Sequence, residues 1–217
     1  MKVRIFETMA EAAEGTLEYL QGPRIAVSGG KTFSDLFPLW VPAVKQSLDS
    51  GHELKFYPVD ERQVPFEDAE SNWRVCHEKL LVPAGLGTQQ KHHAVSAAQY
   101  SALLKQEFGG SPVIFDSVFL GTGEDGHTAS LFPGGAALHD HVSVVLDVVG
   151  PKPPPRRVTL AFKPLWECKL LVAVIFGASK ASIVQRVRAR DMSLPITQAL
   201  AGHSHAVLIL DRAAAGS

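Results

Sequence analysis

Apolar and polar positions along the chain follow two spacings in turn. Short apolar runs fall at 3–6, 24–27, 54–59, 118–120, 142–149, 157–161, 170–176 and 206–210, the lengths expected of strands buried in a sheet. Between most of them apolar residues recur every three or four positions, which predicts helices over 7–20, 32–50, 71–81, 94–108 and 180–190. Gln21-Gly22-Pro23 stops the first helix, and Ser71 is a candidate cap for the third. Pro38 and Pro42 are expected to bend or split the second, because proline has no N–H to donate. Residues 157–161, RVTLA, alternate as a half-buried strand would, and 170–176, the longest apolar run, reads as a central strand. Residues 150–155, GPKPPP, form a stiff connector, and the tail DRAAAGS reads as loose. Strand alternating with helix predicts an α/β fold, a mostly parallel sheet with helices on both faces.

Composition narrows the class. A length of 217 residues suits one large domain better than two small ones, and 46% hydrophobic residues suffice for a substantial core. A net charge of −1 gives no basis for a nucleic-acid groove or an anionic membrane surface. No apolar run approaches the roughly 20 residues of a membrane span, and MKVRIFETMAEAAE lacks the apolar core and cleavage site of a signal peptide. Cys76 and Cys168 make one pair at most, so they read as reduced thiols of a cytosolic protein.

The chemistry gathers where strands end. Residues 115–134, FDSVFLGTGEDGHTASLFPG, carry glycines at 121, 123 and 126, a literal G-x-G-x-x-G, and Asp147 stands where a ribose-binding acid would. A dinucleotide site also needs a crossover helix. Here only 127–132 are free to be helical before Pro133-Gly134-Gly135, half of the dozen or so residues a crossover needs. Ser28-Gly29-Gly30-Lys31-Thr32 puts a glycine pair between a strand and a helix, a ready anion site. It is not a nucleotide P-loop, whose first glycine falls here on Ile25. Asp60-Glu61-Arg62 follows a third strand, and ligands of α/β sheets bind at the carboxyl ends of strands. The pairs His139/His141 and His203/His205 lack a third clustered ligand and read as loop or surface residues. Arg186, Arg188 and Arg190 read as a solvated helix face.

Taken in order, SGGKTF (28–33), DERQVPFEDAESNWR (60–74), GTGEDGHTASLFPG (121–134), RVTL (157–160) and FGASKA (176–181) resemble the 6-phosphogluconolactonases of the glucosamine-6-phosphate isomerase/6-phosphogluconolactonase family over nearly the whole chain. The resemblance implies a Rossmann-like (NagB/RpiA-like) single domain over 1–217. It also implies hydrolysis of 6-phospho-D-glucono-1,5-lactone in the oxidative pentose phosphate pathway, without metal or organic cofactor. The partner is then a small sugar-phosphate lactone, and the protein a cytoplasmic monomer or weak homo-oligomer. Position by position, His127 matches the catalytic histidine with Asp125 beside it, and Asp60 and Arg62 match residues lining the same pocket. Arg157, Lys180 and the loop Ser28, Gly29, Gly30, Lys31, Thr32 match the phosphate-holding positions. Lys31 and Phe33 depart from the small residue and proline usual there, which leaves Lys31 either an added phosphate ligand or a solvent-facing substitution.

A δ-lactone is an activated ester, so one positioned base suffices, and histidine titrates near neutrality. Asp125 or Asp60 is available to orient the imidazole, and backbone N–H groups over 123–126 or Arg62 to receive the oxyanion. Two other readings share the fold. Deaminases and isomerases of the family carry a proton-shuttling glutamate five residues after the histidine, where this chain has Phe132. Non-catalytic sugar-phosphate sensors carry a helix-turn-helix domain ahead of the sugar site, whereas this chain starts on its first strand.

Overall fold

A computed structural model describes residues 1–87 and 92–216. The chain runs β1 (Lys2–Phe6), α1 (Met9–Thr16), β2 (Arg24–Val27), α2 (Gly30–Asp49), β3 (Lys55–Pro58), β4 (Asp60–Arg62) and α3 (Asn72–Cys76). A π turn, His77–Leu81, leads from α3 into α4 (Val82–Ala84), followed by α5 (Ala97–Glu107), β5 (Ser117–Leu120), β6 (Val145–Val149), β7 (Arg156–Leu160) and α6 (Phe162–Glu167). The last elements are β8 (Leu170–Ile175), α7 (Ala181–Arg188), α8 (Pro195–Ala201), β9 (Ala206–Asp211) and α9 (Arg212–Ala215).

Six strands form one sheet in the order β1-β9-β8-β5-β2-β3, every pairing parallel. Its core alternates with a period of two. Val27, Phe119, Val172, Val174 and Ile209 pack toward the face that holds Phe33, Trp40 and Trp73 of α2 and α3. Ala26, Val118, Leu120, Ala173 and Leu208 pack toward the opposite face, with residues of α5 to α9. Both faces are therefore covered, as a parallel sheet requires.

Several expectations need correcting. The chain leaves the large sheet at Val59, whose N–H donates to the Val27 carbonyl (2.9 Å) and whose carbonyl accepts from Leu160 N–H (2.8 Å). Asp60-Glu61-Arg62 is thus a strand rather than a loop, and it starts a second, antiparallel sheet, β4-β7-β6, that the alternating pattern did not announce. Because β7 is the middle strand and packs on both sides, Arg157, Val158, Thr159 and Leu160 are all buried rather than half-buried. Helix α2 stays continuous through Pro38 and Pro42, both on its exposed side. The Ser34 carbonyl, which Pro38 cannot serve, takes the ammonium of Lys79 at 3.2 Å. Residues 127–132 form no helix but a tight turn closed between Thr128 and Leu131. The tail is not loose through 215: Asp211 caps α9 through Ala214 N–H (2.8 Å), which buries Ala214 and Ala215. Ser217 lies outside the described residues.

Candidate active site

The loops after β2, β5, β8 and β9, together with β4 and β7, enclose a cleft of about 530 Å³. It opens at the carboxyl ends of the parallel strands. There the connections diverge, β2 leading outward to β3 and β5 the other way to β8, which is the place where doubly wound sheets bind ligands. Every site residue expected from the sequence lines this cleft except Asp125, which is hydrogen-bonded to His127.

His127 sits in a knot of chain that begins where β5 ends. Gly126 N–H donates to the Gly123 carbonyl (3.1 Å), while Gly123 N–H (3.1 Å) and the Thr122 hydroxyl (2.9 Å) donate to the His127 carbonyl. These bonds fix the backbone and leave the imidazole half exposed at the cleft. Its Nδ1 lies 2.5 Å from Asp125 Oδ1, so Nδ1–H donates to the carboxylate and Nε2 keeps its lone pair for the cleft. Burial acts to raise the Asp125 pKa, but the hydrogen bonds and charge of His127 outweigh it and hold the carboxyl below its usual range. Gly123 is required by proximity, since a Cβ there would lie 2.3 Å from two imidazole atoms. The N–H groups of Gly123 and Gly126 are spent inside the knot, which removes them as oxyanion donors.

Asp60 and Arg62 face the cleft from β4, and Glu61 between them points the other way. Glu61 is fully buried and accepts from the N–H groups of Arg62 (2.7 Å), Asn72 (2.8 Å) and Trp73 (2.7 Å) and from the Ser71 hydroxyl (2.9 Å). Desolvation raises its pKa, and the four donors oppose the rise. It anchors β4 to the start of α3, a role the triplet alone did not reveal. Asp60 is not bonded to His127: its Oδ2 accepts from the Ser130 hydroxyl at 2.7 Å. Asp125 is therefore the carboxylate that orients the imidazole.

Arg62 and Arg157 are direct partners in the β4–β7 register. Two cations side by side repel. Burial lowers the pKa of Arg157 and Arg62 lowers it further, with Asp60 opposing. The Nε of each arginine is buried without a partner among the described residues, while Arg62 Nη1 donates to the Glu70 carbonyl (2.5 Å) and pairs with its carboxylate (3.4 Å), and Arg157 Nη2 donates to the Lys152 carbonyl (3.3 Å). Next to them the 20-residue α2 begins behind Gly29 with no side-chain cap, so its first N–H groups and dipole face the cleft. The Ser28 hydroxyl, also buried, has no partner among the described residues. Gly29 permits a close approach, since a Cβ there would lie 2.1 Å from Asn72 Cγ. Lys180 ends a short turn after β8 whose Gly177 N–H donates to both carboxylate oxygens of Asp211 (3.0 and 3.1 Å). Lys31 is solvent-facing: its side chain is 89% exposed, and its ammonium pairs with Asp35 at 2.7 Å. Phe33 fills the core beside Phe37 and Trp40.

Asn72 and Asp211 also line the cleft and were not expected there. Asp211 was detectable, since it ends the last apolar run at the same edge of the sheet. The remaining candidates take structural places. Asp147 accepts from Gln63 Nε2 (2.6 Å) and Ala97 N–H (2.9 Å). His203 is buried rather than on the surface, with Nε2 donating to the Cys168 carbonyl (2.7 Å) and Nδ1 accepting from His205 N–H (3.0 Å). Cys76 and Cys168 are free and buried, and burial pushes the Cys168 thiol up to about 12. Among the described residues no helix is long and apolar enough to cross a membrane.

A family model of glucosamine-6-phosphate isomerases/6-phosphogluconolactonases matches residues 2–208. The chain belongs to this family. Among the family's 6-phosphogluconolactonases, the one from Rattus norvegicus is 35% identical over 224 residues, covering 96% of this chain and 86% of the rat protein. The one from Bos taurus is 36% identical over 72% of this chain and 65% of its own. The crystal structure of 6-phosphogluconolactonase from Leishmania guyanensis superposes with a TM-score of 0.80 at 26% identity, over 98% of this chain and 97% of that one. The fold class read from the sequence is thereby borne out for this family member, with the small antiparallel sheet as an addition.

Proposed function

We propose that this protein hydrolyses 6-phospho-D-glucono-1,5-lactone to 6-phosphogluconate, the second step of the oxidative pentose phosphate pathway. The observation that carries the proposal is His127, held through Nδ1 by Asp125, with Nε2 free on a cleft lined by Arg62, Arg157, Lys180 and the open start of α2. The 6-phosphogluconolactonases that the chain resembles support it.

In this reading Nε2 takes a proton from water as the water oxygen attacks the lactone carbonyl, and Asp125 stabilises the imidazolium. Arg62 offers donors to the carbonyl oxygen as its charge grows. The ring C–O bond then breaks, and the departing ring oxygen receives the proton from Nε2. The new carboxyl group ionises in solvent. The phosphate at the far end of the sugar is held by Arg157, Lys180, the Ser28 hydroxyl and the backbone of Gly29, Gly30, Lys31 and Thr32. Asp60 completes the sugar wall. The same reading takes residues 1–217 as one domain acting in the cytoplasm as a monomer or weak homo-oligomer.

The deaminase alternative gains no support. Phe132, at the position of its glutamate, carries no proton and packs its ring 5.0 Å from that of His127. The test is acid release from fresh 6-phosphogluconolactone, run beside ammonia release from glucosamine 6-phosphate, with and without EDTA. Lactone hydrolysis unaffected by EDTA and no ammonia is the expected result; comparable ammonia release overturns the assignment.

A further inference from the structure

Asp60 reaches the cleft from one sheet and His127 from the other, yet a single short turn touches both. His127 enters the turn, whose ends are joined by Leu131 N–H to the Thr128 carbonyl (2.9 Å) and Thr128 N–H to the Leu131 carbonyl (3.3 Å). Ala129, at its corner, has φ 52°, a left-handed conformation that non-glycine residues avoid unless their surroundings impose it. The imposing contacts are visible. Thr128 Oγ1 donates to the Gly121 carbonyl (2.8 Å), and Ser130 N–H donates to Thr159 Oγ1 (3.1 Å) in the middle strand of the small sheet. With its backbone pinned, Ser130 is 1% exposed and its hydroxyl donates to Asp60 Oδ2 at 2.7 Å. The other oxygen, Oδ1, accepts no hydrogen bond among the described residues, while Asp60 lines the cleft.

We infer that Ser130 is a positioning residue: it locks one oxygen of the Asp60 carboxylate so that the other is presented to a hydroxyl of the bound sugar. The strained turn at Ala129 sets this acceptor at a fixed distance from His127. A carboxylate with one oxygen satisfied and the other aimed into a cleft is a selective acceptor for a neutral O–H donor, and it repels a misplaced phosphate. Because Asp60 is tied to the turn that carries the base, the hydroxyl it meets is the one on the carbon next to the lactone carbonyl. The inference rests on the lactonase reading of the cleft.

The experiment compares wild type, Ser130→Ala, Asp60→Ala and the double variant on 6-phosphogluconolactone and on its 2-deoxy analogue, with crystal structures of the unliganded wild type and Ser130→Ala. Hydrogen bonds to a charged group are worth about tenfold to a hundredfold in affinity. Ser130→Ala should therefore lower kcat/KM on the parent lactone by about tenfold or more, and on the 2-deoxy lactone by less than about threefold. In the Asp60→Ala background, Ser130→Ala should add less than about twofold, because its partner is gone. Independent, multiplying losses, or equal losses on both substrates, would mark Ser130 as merely structural and overturn the inference. The wild-type rate on the parent lactone tests the proposed reaction by itself. The crystal structures read Ser130 without any substrate: the Asp60 carboxylate should leave its place in Ser130→Ala, and an unmoved carboxylate refutes the positioning role.

Discussion

Replacing His127 by alanine removes an imidazole whose Nδ1 is held by a carboxylate while Nε2 faces the cleft. A positioned base contributes about 10²–10⁴-fold, or about 2.7–5.5 kcal/mol of transition-state stabilisation. That loss should fall on kcat far more than on KM, because the proton moves only during reaction. The fold should survive. The side chain is 31% exposed, and its packing partner Phe132 keeps its own contact with Arg157, whose Cζ lies 5.7 Å from the ring centroid. Asp125→Ala should cost much less. Its hydrogen bond is to a group that becomes charged, but the carboxylate is 46% exposed. Solvent therefore screens the interaction to about 1 kcal/mol, roughly fivefold in kcat. In the His127→Ala background, Asp125→Ala should change nothing measurable, since it acts only through the imidazole. The assay is indicator-monitored acid release from freshly prepared lactone, with spontaneous hydrolysis subtracted and folding checked by circular dichroism. A folded His127→Ala enzyme that keeps more than about a tenth of wild-type kcat refutes the assignment, and Asp60 then becomes the better candidate for activating water.

Lys180→Ala should raise KM by about tenfold to a hundredfold with little change in kcat, because the phosphate does not change during the reaction; an unaltered preference for phosphorylated over unphosphorylated lactone would put the phosphate elsewhere. Gly123→Ala should lower kcat by tenfold or more at nearly unchanged stability, since its Cβ would lie 2.3 Å from the imidazole, which is free to swing outward; a wild-type kcat would contradict the required approach. The Asp191 carboxyl, hydrogen-bonded first by the Ser193 hydroxyl and then by Arg186, is held down to about 2. Its depressed value means that its stabilising contribution is fully present above the ordinary carboxylate range, about 3.9, and is lost as pH falls toward about 2. An NMR titration should find that value in the wild type and a higher one in Ser193→Ala; no difference would refute the cause.

The strands and helices of the large sheet were legible because their signals are local. The unbroken apolar run 206–210 marks a strand buried on both faces, its successive side chains meeting opposite faces, and 3.6-residue spacing marks α2 and α7 as helices. The site motifs were legible for a similar reason. A knot of three glycines around His127, and a glycine pair ahead of α2, have no use in a sheet interior. What the sequence left open was every relation between distant segments. Asp125 and Asp60 both looked able to orient His127. The choice depends on the turn at 128–131 meeting β4 across 70 positions, where Ser130 claims Asp60. Arg62 and Arg157 carried separate assignments until the β4–β7 register made them neighbours. Pro38 read as a break because its missing N–H is a local fact, whereas Lys79, which serves the freed carbonyl, arrives from another helix. Local periodicity is written residue by residue, but register and burial exist only once the strands have paired, and those pairings decided which of the candidate groups share one cleft.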